Sequence, residues 1–366
     1  MRSAGASRKE DAMSKKVTIQ DIANELGVSR NTVSKAINNC AGLADATREK
    51  ILRKAAEMGY KQFSYLNTVA AFAPPPDNSR QSGGDGKEIA LLTSKFLSQS
   101  HFSSAMLDSF QQEISELGYT MNTHRVRDEH LKNRTLPATF SRKRAAAIVC
   151  IEVFDRPYAE MVCGLGLPTL FVDGPAVFGE TALPADQLYM DNTTEIARFV
   201  GEMIRRGKKS IGFVGDQRHC QSFFERHAAF RYAMSMAGLP VDERHCVYGN
   251  EREEILKGVR SMKELPDVFL CANDFVAMDV LHALRDIGKS VPEDVWLCGF
   301  DDSPESGLIS PPLTTIHIHT QIMAFSAVHL LFSRIKEPNL DYRTIRTQTD
   351  LIWRESTGGK QEDDGA

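Results

Sequence analysis

Between Glu88 and Asp302 short, continuous apolar runs alternate with single amphipathic segments, which limits the chain to few architectures. EIALLT (88–93), AAAIVCIEV (145–153), PTLFVD (168–173), SIGFVG (210–215), DVFLCAND (267–274) and DVWLCGFDD (294–302) have the length and bounds of buried strands. The segments between them, near 102–117, 155–163, 192–206, 223–237 and 275–287, read as helices. Several end at a glycine (Gly118, Gly207, Gly238, Gly288), the residue suited to the left-handed position that closes a helix. Strands apolar on both faces and joined by single helices predict parallel sheets covered on both sides, and their number suffices for two sheets.

A chain of 366 residues exceeds one ordinary core. Residues 17–61 differ from the α/β body and read as three short helices. Residues 73–87, APPPDNSRQSGGDGK, carry no periodicity and read as a linker. The apolar fraction of 42% and charged fraction of 25% are those of a soluble globular protein. No apolar run approaches the roughly 18–20 residues that span a bilayer. The start, MRSAGASRKEDAMSKK, lacks the apolar segment of a secretory signal, so a cytoplasmic protein is expected. Seven cysteines without a CxxC pair predict neither a disulfide framework nor a zinc site. Cys150, Cys271 and Cys298 lie within apolar runs as small buried hydrophobes. The formal net charge of −4 conceals an asymmetry: Ser14 to Lys61 holds nine Lys/Arg against five Asp/Glu. A basic module on an acidic body suits a nucleic-acid partner at one end only.

The sharpest local pattern is VTIQDIANELGVSRNTVSKAINN (17–39). Ile19, Ile22, Ala23 and Leu26 share one helix face, Gly27 makes a tight turn, and Val28 packs back. Ser29 is placed to cap a second helix, whose inner stripe is Val33, Ala36 and Ile37. Its other face presents Arg30, Asn31, Ser34 and Lys35. Arg suits guanine and Asn suits adenine, and the first turns of a recognition helix are the part that enters the major groove. A third helix, from about Thr47 to Met58, would complete the core with Ile51, Leu52 and Ala55.

Together with TREKILRKAAEMGY (47–60), this pattern resembles the headpiece of the lactose/galactose repressor (LacI/GalR) family from Val17 to Tyr60. The resemblance implies a transcriptional repressor that grips a near-palindromic operator in double-stranded DNA as a homodimer. Expected contacts are Thr18, Ser29, Arg30, Asn31, Thr32, Ser34, Lys35 and Asn38, with Arg30 and Asn31 reading bases. Family members follow the headpiece with a hinge helix whose Leu wedges into the minor groove. Here KQFSYLNTVAAF (61–72) puts Val69 at about that place and lacks the usual basic residue.

The body from Glu88 to Glu355 resembles the periplasmic-binding-protein type I fold that this family uses as its sensor. That fold implies two doubly wound parallel-sheet subdomains, here about 88–190 plus 317–336 and 191–316 plus 340–357, with ligand in the cleft between them. The whole chain then divides into a disordered leader (1–13), a helix-turn-helix domain (14–63), hinge and linker (64–87), an effector-binding and dimerisation domain (88–357) and a disordered tail (358–366). Ligand residues are expected at the carboxyl ends of strands. The candidates are His101, Phe102, Asp191, Phe223, Arg226, Asn273, Asp274 and Asp301. Arg226 fits a family Arg-x-x-Gly-Phe pattern as Arg-His-Ala-Ala-Phe. One Arg, several carboxylates and an aromatic suit a hydroxylated, sugar-like effector. Asp191 and Asp274 read equally well as helix caps, Asp301 and Asp302 as a turn, and Phe102 as core.

The run SPPLTTIHIHT (310–320) resembles the family's crossover segment. Its His317 and His319 lack the Cys or carboxylate spacing of a metal site, so neither metal nor cofactor is expected. No GxSxG elbow, Walker loop or HExxH occurs, so an enzyme of those classes is not expected. The alternative within regulation is a body that only dimerises or answers a protein partner.

Overall fold

The computed structural model describes residues 18–37, residues 47, 50, 51, 54, 55 and 58, and residues 87–94 and 101–359. The chain divides between Pro74 and Pro75 into a small and a large unit.

In the small unit, α1 (Ile19–Leu26) opens with a capping box: Thr18 Oγ1 accepts from the Asp21 amide while the Asp21 carboxylate accepts from the Thr18 amide. Gly27, at φ 64°, closes it and donates to the carbonyls of Ala23 and Asn24. Ser29 starts α2 (Arg30–Ile37), its Oγ accepting from the Thr32 amide at 3.0 Å. Ile22, Ala23, Val33, Ala36, Ile51 and Ala55 are buried together, with Ile19, Leu26, Val28 and Met58 packed round them. The expected third helix is visible at residues 47, 50, 51, 54 and 55. Leu52 and the side chain of Ile37 lie outside the described residues.

The large unit contains a six-stranded parallel sheet in the order β10-β5-β4-β3-β1-β2. Its strands are β1 (Glu88–Thr93), β2 (Thr120–Arg125), β3 (Ala145–Ile151), β4 (Thr169–Val172), β5 (Asp186–Met190) and β10 (Thr344–Thr347). β1 pairs Leu91 with Thr123 on one side and Val149 on the other. The long helices α3 (His101–Glu116) and α10 (Thr320–Lys336) pack against each other, α10 also against β4 and β5. A further helix, α5 (Arg156–Cys163), buries Tyr158 and Val162 with Phe171 and Ile148.

A second parallel sheet runs β6-β7-β8, from Ile211–Val214, Val268–Cys271 and Trp296–Cys298. Around it lie α6 (Thr194–Arg205), α7 (Gln221–Met236), α8 (Arg252–Arg260) and α9 (Asp274–Asp286). Ile255 and Val259 of α8 and Val276, Val280 and Leu284 of α9 fill one core with Phe269 and Leu297. The two sheets are joined where three chain crossings run side by side. β9 (Thr315–Ile318) and β11 (Thr349–Ile352) pair antiparallel. The Asp191 amide donates to the Thr347 carbonyl at 2.7 Å, and Thr349 Oγ1 donates to the Asp191 carbonyl at 3.0 Å.

One expected boundary is corrected. The sequence pattern puts residues 340–357 in the second subdomain, but Thr344–Thr347 extends the first sheet, pairing with Gln187–Met190 in parallel. The chain leaves that subdomain only at Gln348. A buried ion cluster anchors the return. Arg334 of α10 donates from Nε and Nη2 to the two Asp186 oxygens at 2.8 and 3.0 Å, and the Arg343 amide donates to the same carboxylate at 2.8 Å. Burial alone would raise the Asp186 pKa, but these bonds and charges outweigh it and hold the group below its usual range.

Replacing Arg334 by Ala leaves the Asp186 carboxylate buried against the weaker support of Arg343. The expected loss is about 3–5 kcal/mol, read from urea unfolding at neutral pH. A depressed carboxylate pKa gives stability present above the unfolded value and lost as pH falls through the folded one. The gap between wild type and Arg334→Ala should therefore narrow in acid; a constant gap would show that the charge pairing contributes nothing.

Candidate functional site

On the small unit, the first turns of α2 carry exposed Arg30, Asn31 and Lys35, with Ser34 half-buried beside them. Thr18 and Ser29 are the caps that begin the two helices, and the Thr32 hydroxyl shares a 2.7 Å hydrogen bond with Ser29 Oγ. Capping orients the helix start and leaves its first-turn side chains facing outward. Asn38 and Val69 lie outside the described residues.

On the large unit, a cavity of about 100 Å³ lies where strand ends of both sheets meet. Five of the expected residues line it: Phe102, Phe223, Arg226, Asn273 and Asp301. Arg226, 2% exposed, projects from the second turn of α7. Its Nε donates to Asn192 Oδ1 at 2.9 Å and its Nη1 to the Ala272 carbonyl at 2.6 Å. The guanidinium lies over the Phe300 ring, 3.5 Å from its centroid. Nη1 also stands 3.5 Å from an Asp301 carboxylate oxygen.

The remaining candidates are placed differently. Asp191 is absent from the cavity lining and accepts from the amides and hydroxyls of Thr193, the N-cap residue of α6, and Thr194, so its carboxylate is spent on the turn that leads into that helix. Asp274 is fully buried outside the cavity lining, accepting from Thr315 Oγ1 at 2.6 Å and the Ser303 amide at 2.7 Å. Gly299 makes room for it, since a Cβ there would come within 2.2 Å of Asp274 Oδ1. Asn273 lines the cavity while its Oδ1 caps α9 on the Val276 amide. His101 is the first residue of α3, and its side chain lies outside the described residues.

The lining also includes residues not anticipated, above all Glu152, Asp173 and Ser303. Glu152 and Asp173 directly follow β3 and β4, so the rule that nominated Asp301 also covers them. Glu152, Asp173 and Asp301 all sit at positive φ, at 59°, 54° and 109°. Such conformations cost non-glycine residues on the order of 1–3 kcal/mol each and concentrate at functional sites. Asp173 ties the two halves together: it follows β4 of the first sheet, and its Oδ1 accepts from the Ser222 amide at the start of α7.

Burial dominates the acid–base behaviour. It raises Asp173 to about 6 and Asp301 to about 7, with Arg226 opposing the shift in both. Glu152 and Asp173 add to the rise at Asp301 by repulsion. Asp274 is pushed up to about 8, first by burial and then by the Asp301 charge. Asp302 goes the other way: bonds from His317 and Arg354 overcome burial and keep it below the usual range. His319 likewise pairs with Asp350 at 3.1 Å. Both crossover histidines are thus engaged with carboxylates, and no cluster of three potential metal ligands occurs among the described residues.

With this geometry in view, comparison with known proteins is decisive. Residues 18–62 match the family model for bacterial regulatory proteins of the lacI family, and residues 200–357 match that of the periplasmic binding protein-like domain. The chain belongs to the LacI family of bacterial regulatory proteins. It is therefore a DNA-binding transcriptional regulator, not an enzyme. The HTH-type transcriptional repressor PurR of Photobacterium profundum is 26% identical over 349 residues, covering 93% of this chain and 98% of that protein. Among solved structures, the CelR–cellobiose complex aligns with TM-score 0.66 at 23% identity, covering 93% of this chain and 100% of that one. The lac repressor dimer bound to operator and the anti-inducer ONPF aligns with TM-score 0.63 at 20% identity, covering 94% and 99%. The two solved structures, both under 25% identical, share the fold of this LacI-family chain.

The raised carboxylates yield a stability prediction. An acid whose pKa is higher folded than unfolded stabilises most below its unfolded pKa of roughly 4, and that stability fades as pH rises through the folded value. Asp274→Asn keeps one acceptor and removes the titration. Its unfolding free energy should decline less steeply between about pH 4 and 8 than that of wild type. Identical slopes from urea titrations across this range would rule out a buried, titrating Asp274.

Proposed function

We propose that this LacI-family regulator is a repressor that binds a near-palindromic operator as a homodimer, and that a small, polar, sugar-like ligand in the cavity controls its grip. The observation that carries the effector reading is the cavity itself, lined by side chains from both subdomains around the pinned Arg226. Polar groups placed at a few fixed points among aromatic walls are the composition of a ligand site. The complexes of CelR with cellobiose and of the lac repressor with operator support the same division of labour. No helix among the described residues is long and apolar enough to cross a membrane. We place the protein in the cytoplasm, at the nucleoid when bound to DNA.

The site assignments follow. Arg30 and Asn31 read base edges, Lys35 contacts a base or phosphate, and Thr18, Ser29, Thr32 and Ser34 hold the backbone. Arg226, Asp301, Asn273, Phe102 and Phe223 take the effector, joined by Glu152, Asp173 and Ser303. In the domain scheme, the headpiece occupies 14–63, hinge and linker 64–87, and the sensor 88–357, with the last subdomain crossing moved to Gln348. Ligand would close the cleft, rotate one subdomain against the other and so change the spacing of two headpieces on half-sites about one helical turn apart.

Selection of bound duplexes from a random DNA pool, at near-physiological salt, tests the repressor reading. Enrichment of a palindrome is expected. Arg30→Ala should then relax preference at one base position per half-site and cost about 1–3 kcal/mol. Unchanged preference at every position would remove α2 as the reading helix.

A further inference from the structure

We propose that Glu225 is a positioning residue for the effector cavity: through Asn192 it holds Arg226 in place, and through Arg346 it ties that hold to the placement of the first subdomain. The proposal rests on the effector reading above and names the residue through which that site answers to subdomain rotation.

Glu225 stands on α7 of the second subdomain, directly before Arg226, and is absent from the cavity lining. Its carboxylate is a meeting point of three donors. Oε2 accepts from Asn192 Nδ2 at 3.0 Å, while Oε1 accepts from Gln221 Nε2 at 3.1 Å and from Arg346 Nη2 at 2.6 Å. Arg346 lies on β10, an edge strand of the first sheet. Gln221 reaches the first subdomain as well: its Oε1 accepts from the Val177 amide at 2.9 Å, in the segment between β4 and β5. One carboxylate is thus joined to the first subdomain by two routes and to the first crossing by a third.

The chemistry of Asn192 gives that carboxylate its leverage. Asn192 is fully buried, with Oδ1 accepting from Arg226 Nε at 2.9 Å and Nδ2 donating to Glu225. An amide has one accepting end and one donating end, a guanidinium only donates, and a carboxylate only accepts. Held between the two, the amide has a single orientation that satisfies both neighbours. Ser222 Oγ, the other partner of Nδ2 at 3.3 Å, can donate or accept, so it fixes neither end. Glu225 therefore decides which end of Asn192 meets Arg226. The pair with Arg346 spans the two subdomains, so rotation of one against the other stretches or restores it. The Arg346 side chain is 46% exposed and that of Glu225 11%, which makes the pair a partly screened bond that rotation can break at modest cost. Whatever an effector on Arg226 does to this pair, the pair does in equal measure to the effector site.

The test is operator affinity of the full-length protein, read by fluorescence anisotropy on the selected duplex with no effector added. Arg346→Gln and Glu225→Gln should shift the dissociation constant in the same direction, by about fivefold for the first and at least as much for the second. The double variant should match Glu225→Gln alone, because both substitutions break one linkage. In an Asn192→Ala background Arg346→Gln should have no further effect, since the path runs through that amide. Arg346→Lys should return the constant to within about twofold of wild type. Arg252→Gln, which breaks a pair with Asp279 inside the second subdomain, should leave it unchanged. A purely structural role would lower the urea midpoint and leave the folded variants with wild-type operator affinity. That result, additive shifts, or a full Arg346→Gln effect without Asn192 would overturn the proposal. Arg346→Gln alters a half-exposed side chain, so it keeps the test open should Glu225→Gln fail to fold. A metabolite screen by thermal shift tests the effector reading separately. A hit that moves wild-type operator affinity, with Arg346→Gln and Glu225→Gln behaving as wild type, overturns the role of Glu225 and leaves the effector reading standing. A silent screen with the expected shifts overturns the effector reading and upholds the coupling through Glu225.

Discussion

The guanidinium of Arg226 is held where the first crossing, the end of β7 and the segment after β8 converge. Its partners are Asn192, the Ala272 carbonyl, Asp301 and the Phe300 ring. A buried guanidinium must satisfy its donors locally, and these partners fix the distances among three separate pieces of chain. Asn192 is itself fixed by donating to Glu225 and Ser222 of α7, so the helix that carries Arg226 also orients its acceptor. The cavity walls inherit their geometry from this network. Remove it, and the strand ends lose the common reference that lines up Asp301 with Asp173 and Glu152.

That arrangement costs stability. Three carboxylates at positive φ, two of them with raised pKa values, would not be chosen by folding alone. The surrounding cores tolerate the cost because they are well filled: α8 and α9 against the second sheet, α5 and the first-sheet strands on the other side. The ion cluster at Asp186 lies outside the cavity lining and works in the opposite direction, with a carboxylate below its usual range. One protein thus contains buried acids of both kinds: two arginines reach Asp186, whereas Asp173 is served by neutral donors and the charge of Arg226 alone.

The crossings give the cleft the mechanics of a control element. Three stretches of chain at Asp191, Ile318 and Gln348 lie side by side, and bonds of the first two to neighbouring crossings hold them together. Asp302, held by His317 and Arg354, ties the end of the second sheet to this bundle. A small change at crossings of this kind would turn the packed cores on either side as rigid bodies. A ligand shifts such an equilibrium only by binding one arrangement better than the other. Residues contributed from both sides of the crossings, such as Asp173 and Asp301, are those able to make that difference.

The sequence by itself determined the two modules, the parallel α/β character of the body and the small headpiece core, because these follow from local periodicity. Ile22, Ala23, Val33, Ala36, Ile51 and Ala55 are buried together as their spacing required. The family resemblance and the ends of apolar strands nominated five residues that line the cavity. The sequence did not reveal β2 (TMNTHR) or β10 (TIRT), since edge strands half in water carry no continuous apolar run. It could not place β10 in the first sheet, where the distant Asp186 and Arg334 decide the pairing. Nor could it separate Asp191, consumed by the turn before α6, from Asp173, which lines the cavity: both follow strands, and only the neighbouring donors differ. Short-range pattern fixes which segments are helices and strands. Which carboxylate meets which donor depends on residues far apart in the chain, so only the folded chain decides it.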